Sequence, residues 1–443
     1  MKVGVVSLGC VKNRVDTEEM LSFLQKDGFV FTGNAAEAEV LVVNTCGFIN
    51  SAKEESIDTI LEMAEYKKDD ACRVLCVTGC LSQRYGDELM EQIPEIDVMI
   101  GVSQYPQLAG LIKKALRGQH TSDVTRGADF TGCGRVLTTP PYTAYVRISE
   151  GCDNRCTYCA IPLIRGPYRS RPMQDILTEM KTLAEQGAKE QILIAQDTSR
   201  YGIDLEDASL AKLLDEAAKI PGITWLRVLY CYPDETDEAL IDAMANNPKL
   251  CRYLDLPLQH ASPRILKAMN RRGDIQEIEA LLHYARARGF ALRTTMIVGF
   301  PGETEADFQQ MMDFCARVRF DRLGAFTFSP EEDTPAFAMK DQVPEDIKQQ
   351  RLDALMRMQQ DISLSRNQAR IGAIETVLIT GLDGDTAVAR SVFEAPDSDG
   401  SIFIENGAQL KEGQFVTVQM TGATAYDLTA RLVTKEGKHE PAQ

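Results

Sequence analysis

Residues 144–171 read AYVRISEGCDNRCTYCAIPLIRGPYRSR, a short apolar strand running straight into a loop that carries Cys152, Cys156 and Cys159 with C-x3-C-x2-C spacing. Three thiolates on one tight loop can hold three irons of a cubic iron–sulfur cluster and leave the fourth iron open, whereas a structural zinc site or a plain electron carrier needs a fourth protein ligand. No fourth Cys stands close downstream, and the nearest His residues are His120 and His260. Working outward, EQILIAQD, TWLRVLY, CRYLDLP, LRTTMIVG and RLGAFTFS repeat the strand pattern, with helical stretches between most of them. Six strands with crossovers over residues 142–370 predict a parallel α/β barrel, partial or complete, with an open doubly wound sheet as the alternative. In either case the Cys loop follows the first strand, where βα loops build sites.

Upstream, residues 1–120 alternate strands (VGVVSL, EVLVVNTC, RVLCVTGC) with helical patterns (DTEEMLSFLQKDG, SAKEESIDTILEMAEYKK), for which Asp16 and Ser51 are candidate caps. This predicts a small, mostly parallel sheet covered by helices. Each strand ends near a Cys, and the ends of parallel strands converge at one edge, so Cys10, Cys46 and Cys80 can meet there. The Gly beside each permits close approach and bare N–H groups aimed at sulfur. A second metal site and three buried structural thiols are both open readings. Cys72 and Cys76 read as ordinary core, and Cys133 falls in a Gly/Thr/Pro-rich linker at 121–141.

Downstream, EDIKQQRLDALMRMQQDISLSRNQARIG predicts one long helix joining two bodies. Residues 373–438 then hold five short strand patterns separated by turns, predicting a small antiparallel β-barrel. Ten acidic residues stand against five basic ones in that span, which favours a basic polypeptide over RNA as its partner. Phe393, Phe403, Phe415 and Tyr426 could stack on bases, but their places in alternating strands predict core packing for most of them.

The chain has 443 residues, enough for two or three domains, and a net charge of −17 that repels polyanions and attracts basic partners. The opening MKVGVVSLGC lacks a secretory pattern and no long apolar run follows, so the expectation is a cytoplasmic protein whose twelve Cys are held reduced.

A low-potential cluster with an open iron can bind an amino-acid-like chelator, and S-adenosylmethionine fits both properties: its amino and carboxylate groups grip the iron, and its reductive cleavage releases a carbon radical. Gln196 and Asp197, Leu258, Gln259 and His260, and Gly299, Gly302 and Glu303 lie at expected strand ends. For residues 299–303 the readings are cofactor contact or helix capping with a shaped turn. His260 reads equally as a satisfied core residue or an acid/base group. Arg165, Arg169 and Arg171 could neutralise cluster and substrate charge or anchor the loop by salt bridges. Tyr158 could place its ring over the cofactor or shield the cluster.

Together SLGCVKNRVDTE, VNTCGFI, GCLSQRY, the run at 144–171, RYLDLPLQH and RTTMIVGFPGETEADF resemble the radical S-adenosylmethionine methylthiotransferases over essentially the whole chain. The resemblance implies an auxiliary [4Fe-4S] cluster on Cys10, Cys46 and Cys80, a radical-generating [4Fe-4S] cluster on Cys152, Cys156 and Cys159, and a C-terminal substrate-recognition barrel of TRAM type. One branch modifies an isopentenyl-adenosine base of transfer RNA, and the other the β-carbon of an aspartate in small-subunit ribosomal protein twelve. SLGCVKN, NTCGFI and DLPLQH match the ribosomal-protein branch. That branch implies a basic protein substrate, free or within the ribosomal subunit, a low-potential electron donor and a sulfide or persulfide source. The transfer-RNA activity is the alternative function and a non-enzymatic metal scaffold a remote third.

Overall fold

Six strands, β1 (Lys2–Ser7), β2 (Val30–Phe31), β3 (Val40–Thr45), β4 (Val74–Gly79), β5 (Val98–Ile100) and β6 (Thr121–Asp123), form a wholly parallel sheet in the order β2-β1-β3-β4-β5-β6 in the computed structural model, which describes residues 1–125 and 134–433. Helices α1 (Val11–Lys26), α2 (Asn50–Asp69), α3 (Cys80–Gln92) and α4 (Leu108–Ala115) cover it. The continuous apolar runs of β3 and β4 suit strands buried on both faces. Val40, Val42 and Val74 pack with Met20 and Leu24 of α1 and Leu108 of α4, while Leu41, Val43 and Leu75 pack on the opposite face with Ile60 of α2 and Leu89 of α3. Each such side chain contributes about 1.5–3 kcal/mol.

Several boundaries differ from expectation. The linker expected at 121–141 opens with β6, and its far part is anchored: Arg135 is ion-paired with Glu18 and Glu179, and the Thr138 N–H and hydroxyl both donate to Glu18 Oε1 at 2.8 Å. Cys133 and residues 434–438 lie outside the described residues. Asp16 and Ser51 are not caps. A tight turn at Gly9 hands β1 directly to α1, whose N-cap is Cys10, so Asp16 falls inside the helix and is buried. Helix α2 likewise starts at Asn50, with Ile49 as N-cap.

The chain divides into two compact units, one of Met1–Pro221, Met269–Arg271 and Ser329–Met339, the other of Gly222–Ala268, Arg272–Phe328 and Lys340–Gln443. The first adds β7 (Thr143–Arg147), β8 (Ser149–Glu150), α5 (Ile161–Arg165), β9 (Arg169–Ser170), α6 (Met173–Glu185), β10 (Glu190–Ile194) and α7 (Leu210–Ala218). Strands β7 and β10 pair in parallel, and β8 pairs antiparallel to β9. The second holds β11 (Trp225–Val228), α8 (Glu238–Asn246), β12 (Tyr253–Asp255), α9 (Pro263–Ala268), α10 (Ile275–Ala287), β13 (Ala291–Val298), α11 (Glu305–Val318), β14 (Arg322–Thr327) and the long α12 (Glu345–Gln368). Its strands β12-β13-β14 are parallel and in chain order, without the order reversal of a doubly wound sheet.

Strands β15 (Ile374–Asp383), β16 (Thr386–Ser391), β17 (Ile402–Ile404), β18 (Phe415–Ala423) and β19 (Leu428–Leu432) close a barrel in the order β15-β16-β17-β19-β18. It is not wholly antiparallel, because β17 and β19 run parallel. A closed ring of five strands cannot alternate direction throughout, so one parallel pair is a necessity of closure. The core is aliphatic, with Val377, Ile379, Ile402, Ile404, Val418 and Met420 among its residues. Phe403 and Phe415 have the opposite parity and lie outside it, which corrects the expectation of core packing; Phe415 packs edge-on against Trp225, and Tyr426 is exposed.

Candidate functional site

The neighbouring strands β1, β3 and β4 end in register, Ser7 opposite Asn44 and Asn44 opposite Thr78, so the segments leaving them share one edge. Cys10 caps α1, Cys46 follows β3 and Cys80 opens α3. Two of the three thiols therefore sit at helix N-termini, where the backbone favours negative charge. Gly9 holds φ +82°, and a Cβ there would stand 2.8 Å from Cys46 Cβ and 3.2 Å from its Sγ. A Cβ on Gly47 would stand 2.8 Å from Leu81 Cα. These two glycines let the three segments close on one another.

Buried Asn13 fastens them. Its amide donates to Leu8 O at 3.1 Å and Thr45 O at 2.8 Å, and its Oδ1 lies 3.5 Å from Cys80 Sγ. Burial pushes the Cys46 thiol up and the Cys80 thiol up to about 11. Cys46 and Cys80 are thus held as protonated thiols, and a metal bound there would displace those protons.

The second set of thiols follows β8. Gly151 holds φ +77°, and a Cβ there would lie 2.1 Å from Pro167 O. The Cys152 N–H donates to Gly166 O at 3.2 Å and the Cys159 N–H to Cys156 O at 3.0 Å. Asn154 donates to Asp197 Oδ2 at 2.8 Å, Ser199 donates to Asp197 Oδ1 at 2.7 Å, and Gln196 donates to Glu150 Oε1 at 2.9 Å. The end of β10 therefore holds the Cys loop. Gln196 Oε1 is buried without a hydrogen-bond partner. Asn270 donates to Arg155 O at 2.9 Å, and Arg271 Nη1 stands 3.9 Å from Cys156 Sγ. Burial pushes the Cys152 thiol up to about 11 and raises that of Cys159. Tyr158 is half-buried.

Both sets fit iron–sulfur clusters: soft thiolate donors, loops closed on glycine, and backbone amides nearby. Among the described residues no three such groups converge as on a single metal ion; thiolates that each hold a different iron of a cube stand farther apart. The two sets share one compact unit, and Cys80 packs in the same apolar cluster as Ala160 and Ile164, directly after Cys159.

Around them runs a buried ion network that the sequence reading did not find. Arg147 pairs with Asp16, with Glu150 at 2.8 Å and with Glu19 at 2.7 Å, and Arg165 pairs with Asp16 at 2.8 Å and Glu150 at 3.4 Å. Arg165 also donates to Asn13 Oδ1 at 2.8 Å and reaches Cys80 Sγ at 3.4 Å. Arg171 pairs with Glu179 at 2.7 Å. Arg165 and Arg171 thus anchor the loop, and Arg165 in addition touches a thiol.

Gly299, Gly302 and Glu303 follow β13 in the second unit. The Glu303 carboxylate accepts the Gly299 N–H at 2.9 Å and pairs with Arg351 at 2.8 Å. His260 Nδ1 accepts the N–H groups of Ala261 and Ser262, so the ring proton sits on Nε2 and is directed to Glu303 Oε2 at 3.3 Å. His260 is the satisfied core residue. Capping of α11 belongs to Thr304 and Asp307, not Glu303. Gly299 is required by packing, since a Cβ there would lie 2.2 Å from Lys348 Cγ.

The radical SAM superfamily matches residues 146–315, the "uncharacterized protein family UPF0004" residues 2–101 and the TRAM domain residues 371–433. The chain is 50% identical to the ribosomal protein uS12 methylthiotransferase RimO of Pelotomaculum thermopropionicum over 98% of its own length and 99% of that protein's. It is 48% identical to the protein of that name from Desulforamulus reducens, over 97% and 99%. Among solved structures, the radical S-adenosylmethionine methyltransferase TsrM from Kitasatospora setae, with tryptophan and aza-SAM bound, aligns with TM-score 0.59 at 13% identity, covering 82% of this chain and 89% of that one, a likeness of fold.

Proposed function

The chain belongs to the ribosomal protein uS12 methylthiotransferases, and from that membership we propose that it adds a methylthio group to the β-carbon of an aspartate in uS12, with Cys152, Cys156 and Cys159 holding the radical-generating cluster and Cys10, Cys46 and Cys80 the auxiliary one. The observation that supports this division is that Cys152, Cys156 and Cys159 fall within the radical SAM match at 146–315 and Cys10, Cys46 and Cys80 within the separate match at 2–101, with both sets in one compact unit. When bound, the two [4Fe-4S] clusters and S-adenosylmethionine supply the methyl group, the sulfur anchorage and a carbon radical able to remove hydrogen from an unactivated C–H bond.

The chain's own residues bind and orient. Asp197, through Asn154, and Gln196, through Glu150, hold the Cys loop rigid. Gln196 Oε1, buried without a hydrogen-bond partner, is the acceptor assigned to the cofactor, and the half-buried Tyr158 ring, between Cys156 and Cys159, is assigned to shield it. For Gly299, Gly302 and Glu303 the role is a backbone one in cofactor binding, since the Glu303 carboxylate already holds its own turn. The barrel exposes Asp383, Asp385, Asp397, Glu405 and Glu412 against Lys411 and Arg431, which suits a basic ribosomal protein. A low-potential electron donor and a sulfide or persulfide source complete the reaction, in the cytoplasm. Among the described residues no helix is long and apolar enough to cross a membrane.

The test is an anaerobic reaction of the cluster-loaded protein with S-adenosylmethionine, sulfide and reductant, offering uS12 and transfer RNA together, read by fragment mass spectrometry. A methylthio gain on an aspartate peptide is expected. A gain on adenosine alone would overturn the substrate assignment.

A further inference from the structure

Arg165 ends the helix that follows the 152–159 loop, and its buried guanidinium is shared among Asn13, Cys80, Asp16 and Glu150. Arg147, held by the same Asp16 and Glu150, balances part of their charge, and Glu19 adds a third carboxylate beside it. Glu150 Oε1 in turn accepts the Gly151 N–H at 3.2 Å, next to Cys152, and the Gln196 amide at 2.9 Å. A continuous chain of hydrogen bonds therefore runs from Cys80 Sγ through Arg165 and Glu150 to the base of the other Cys loop.

An N–H donor and a positive charge against a cluster thiolate favour the more reduced, more negative state of that cluster and raise its potential. Resting on the two-cluster reading above, we propose that Arg165 is a positioning residue that sets the reduction potential of the auxiliary cluster and fixes Cys80 against the 152–159 loop. Glu150 opposes it: its carboxylate compensates the guanidinium and limits how far the potential rises. The side chain is suited to this because its planar fork reaches four acceptors at once, which a lysine ammonium cannot do.

The experiment uses full-length protein with Cys152→Ala, Cys156→Ala and Cys159→Ala, so that any cluster assembled from iron and sulfide is the auxiliary one. Its midpoint potential is measured by optical and EPR titration, alone and with Arg165→Met, Arg165→Lys or Glu150→Gln added. Arg165→Met is expected to shift the reduction equilibrium tenfold or more toward the oxidised cluster, about 59 mV negative for one electron. Arg165→Lys shifts it the same way by less, and Glu150→Gln shifts it positive. A purely structural role predicts no such reversal of sign. Cluster assembly with an unchanged potential in Arg165→Lys and Glu150→Gln overturns the proposal even if Arg165→Met fails to fold. Failure of the triple-alanine protein to assemble any cluster overturns the two-cluster reading instead.

Discussion

Glu394→Gln removes the charge that ties the barrel to the elements packed against it. Glu394 is 1% exposed, accepts the Ser391 N–H at 3.0 Å and hydroxyl at 2.7 Å, and pairs with Arg370 beyond α12 and with Arg322 of β14 at 3.3 Å. Burial alone raises its carboxyl, but the two guanidinium groups and Ser391 outweigh that and hold it down to about 2, against an ordinary 4.5. A glutamate depressed in the folded state contributes stability that is present in full above its unfolded pKa and lost as pH falls through the folded one. The difference corresponds to about 3 kcal/mol at pH 7, falling to about 1.4 kcal/mol at pH 3. The glutamine keeps the volume and one acceptor but takes a buried carboxylate from both Arg322 and Arg370, of which Arg370 keeps Glu375 at 2.8 Å, so it costs about 3 kcal/mol at pH 7. The one Trp of the chain, Trp225, is a local reporter: its ring packs on Phe415 of β18 at 4.8 Å and 82°. Urea unfolding of both metal-free proteins, followed by Trp225 fluorescence at pH 7 and pH 3, should show a difference in stability that shrinks with acid. Groups titrating alike in the two proteins cancel. A difference below about 1 kcal/mol at pH 7, or one that does not change with pH, would refute the reasoning.

Cys156→Ala should abolish reductive cleavage of S-adenosylmethionine, whereas Cys46→Ala should spare much of it and stop methylthio transfer; chromatography of the cleaved nucleoside and mass spectrometry of uS12 read the two, and product from the Cys46 variant would break the division of roles. Gly9→Ala forces a Cβ to 2.8 Å from Cys46 Cβ at a φ of +82°, so iron bound per chain should fall by about four, and full loading would show that the segments do not need this closure. Asp197→Ala removes the carboxylate to which the buried Asn154 amide donates at 2.8 Å, at a cost of about 1–3 kcal/mol; cofactor affinity should drop in equilibrium dialysis, with iron content retained.

The parallel βα order was legible because β3 and β4 are unbroken apolar runs and both sets of Cys fall just past strand ends. Short strands such as β2, β5 and β6 carry two or three residues and too little pattern to read alone. Asp16 marks a different limit. In DTEE an acid before a helical run reads as a cap, and only the turn at Gly9, which starts α1 at Val11, moves it inside the helix and toward Arg147 and Arg165, more than a hundred residues away in sequence. Periodicity carries no information about such a partner. The same holds for Glu303, whose carboxylate looked available for a ligand until Arg351 of α12 came to occupy it. What separates the thiols from these carboxylates is chemistry: a buried carboxylate can be satisfied by any well-placed arginine, while thiols gathered on glycine turns at strand ends suit soft metals. The C-x3-C-x2-C spacing therefore points to a metal from sequence alone, Cys10, Cys46 and Cys80 needed the family resemblance beside their pattern, and the charges that hold these segments become readable only when the fold pairs them.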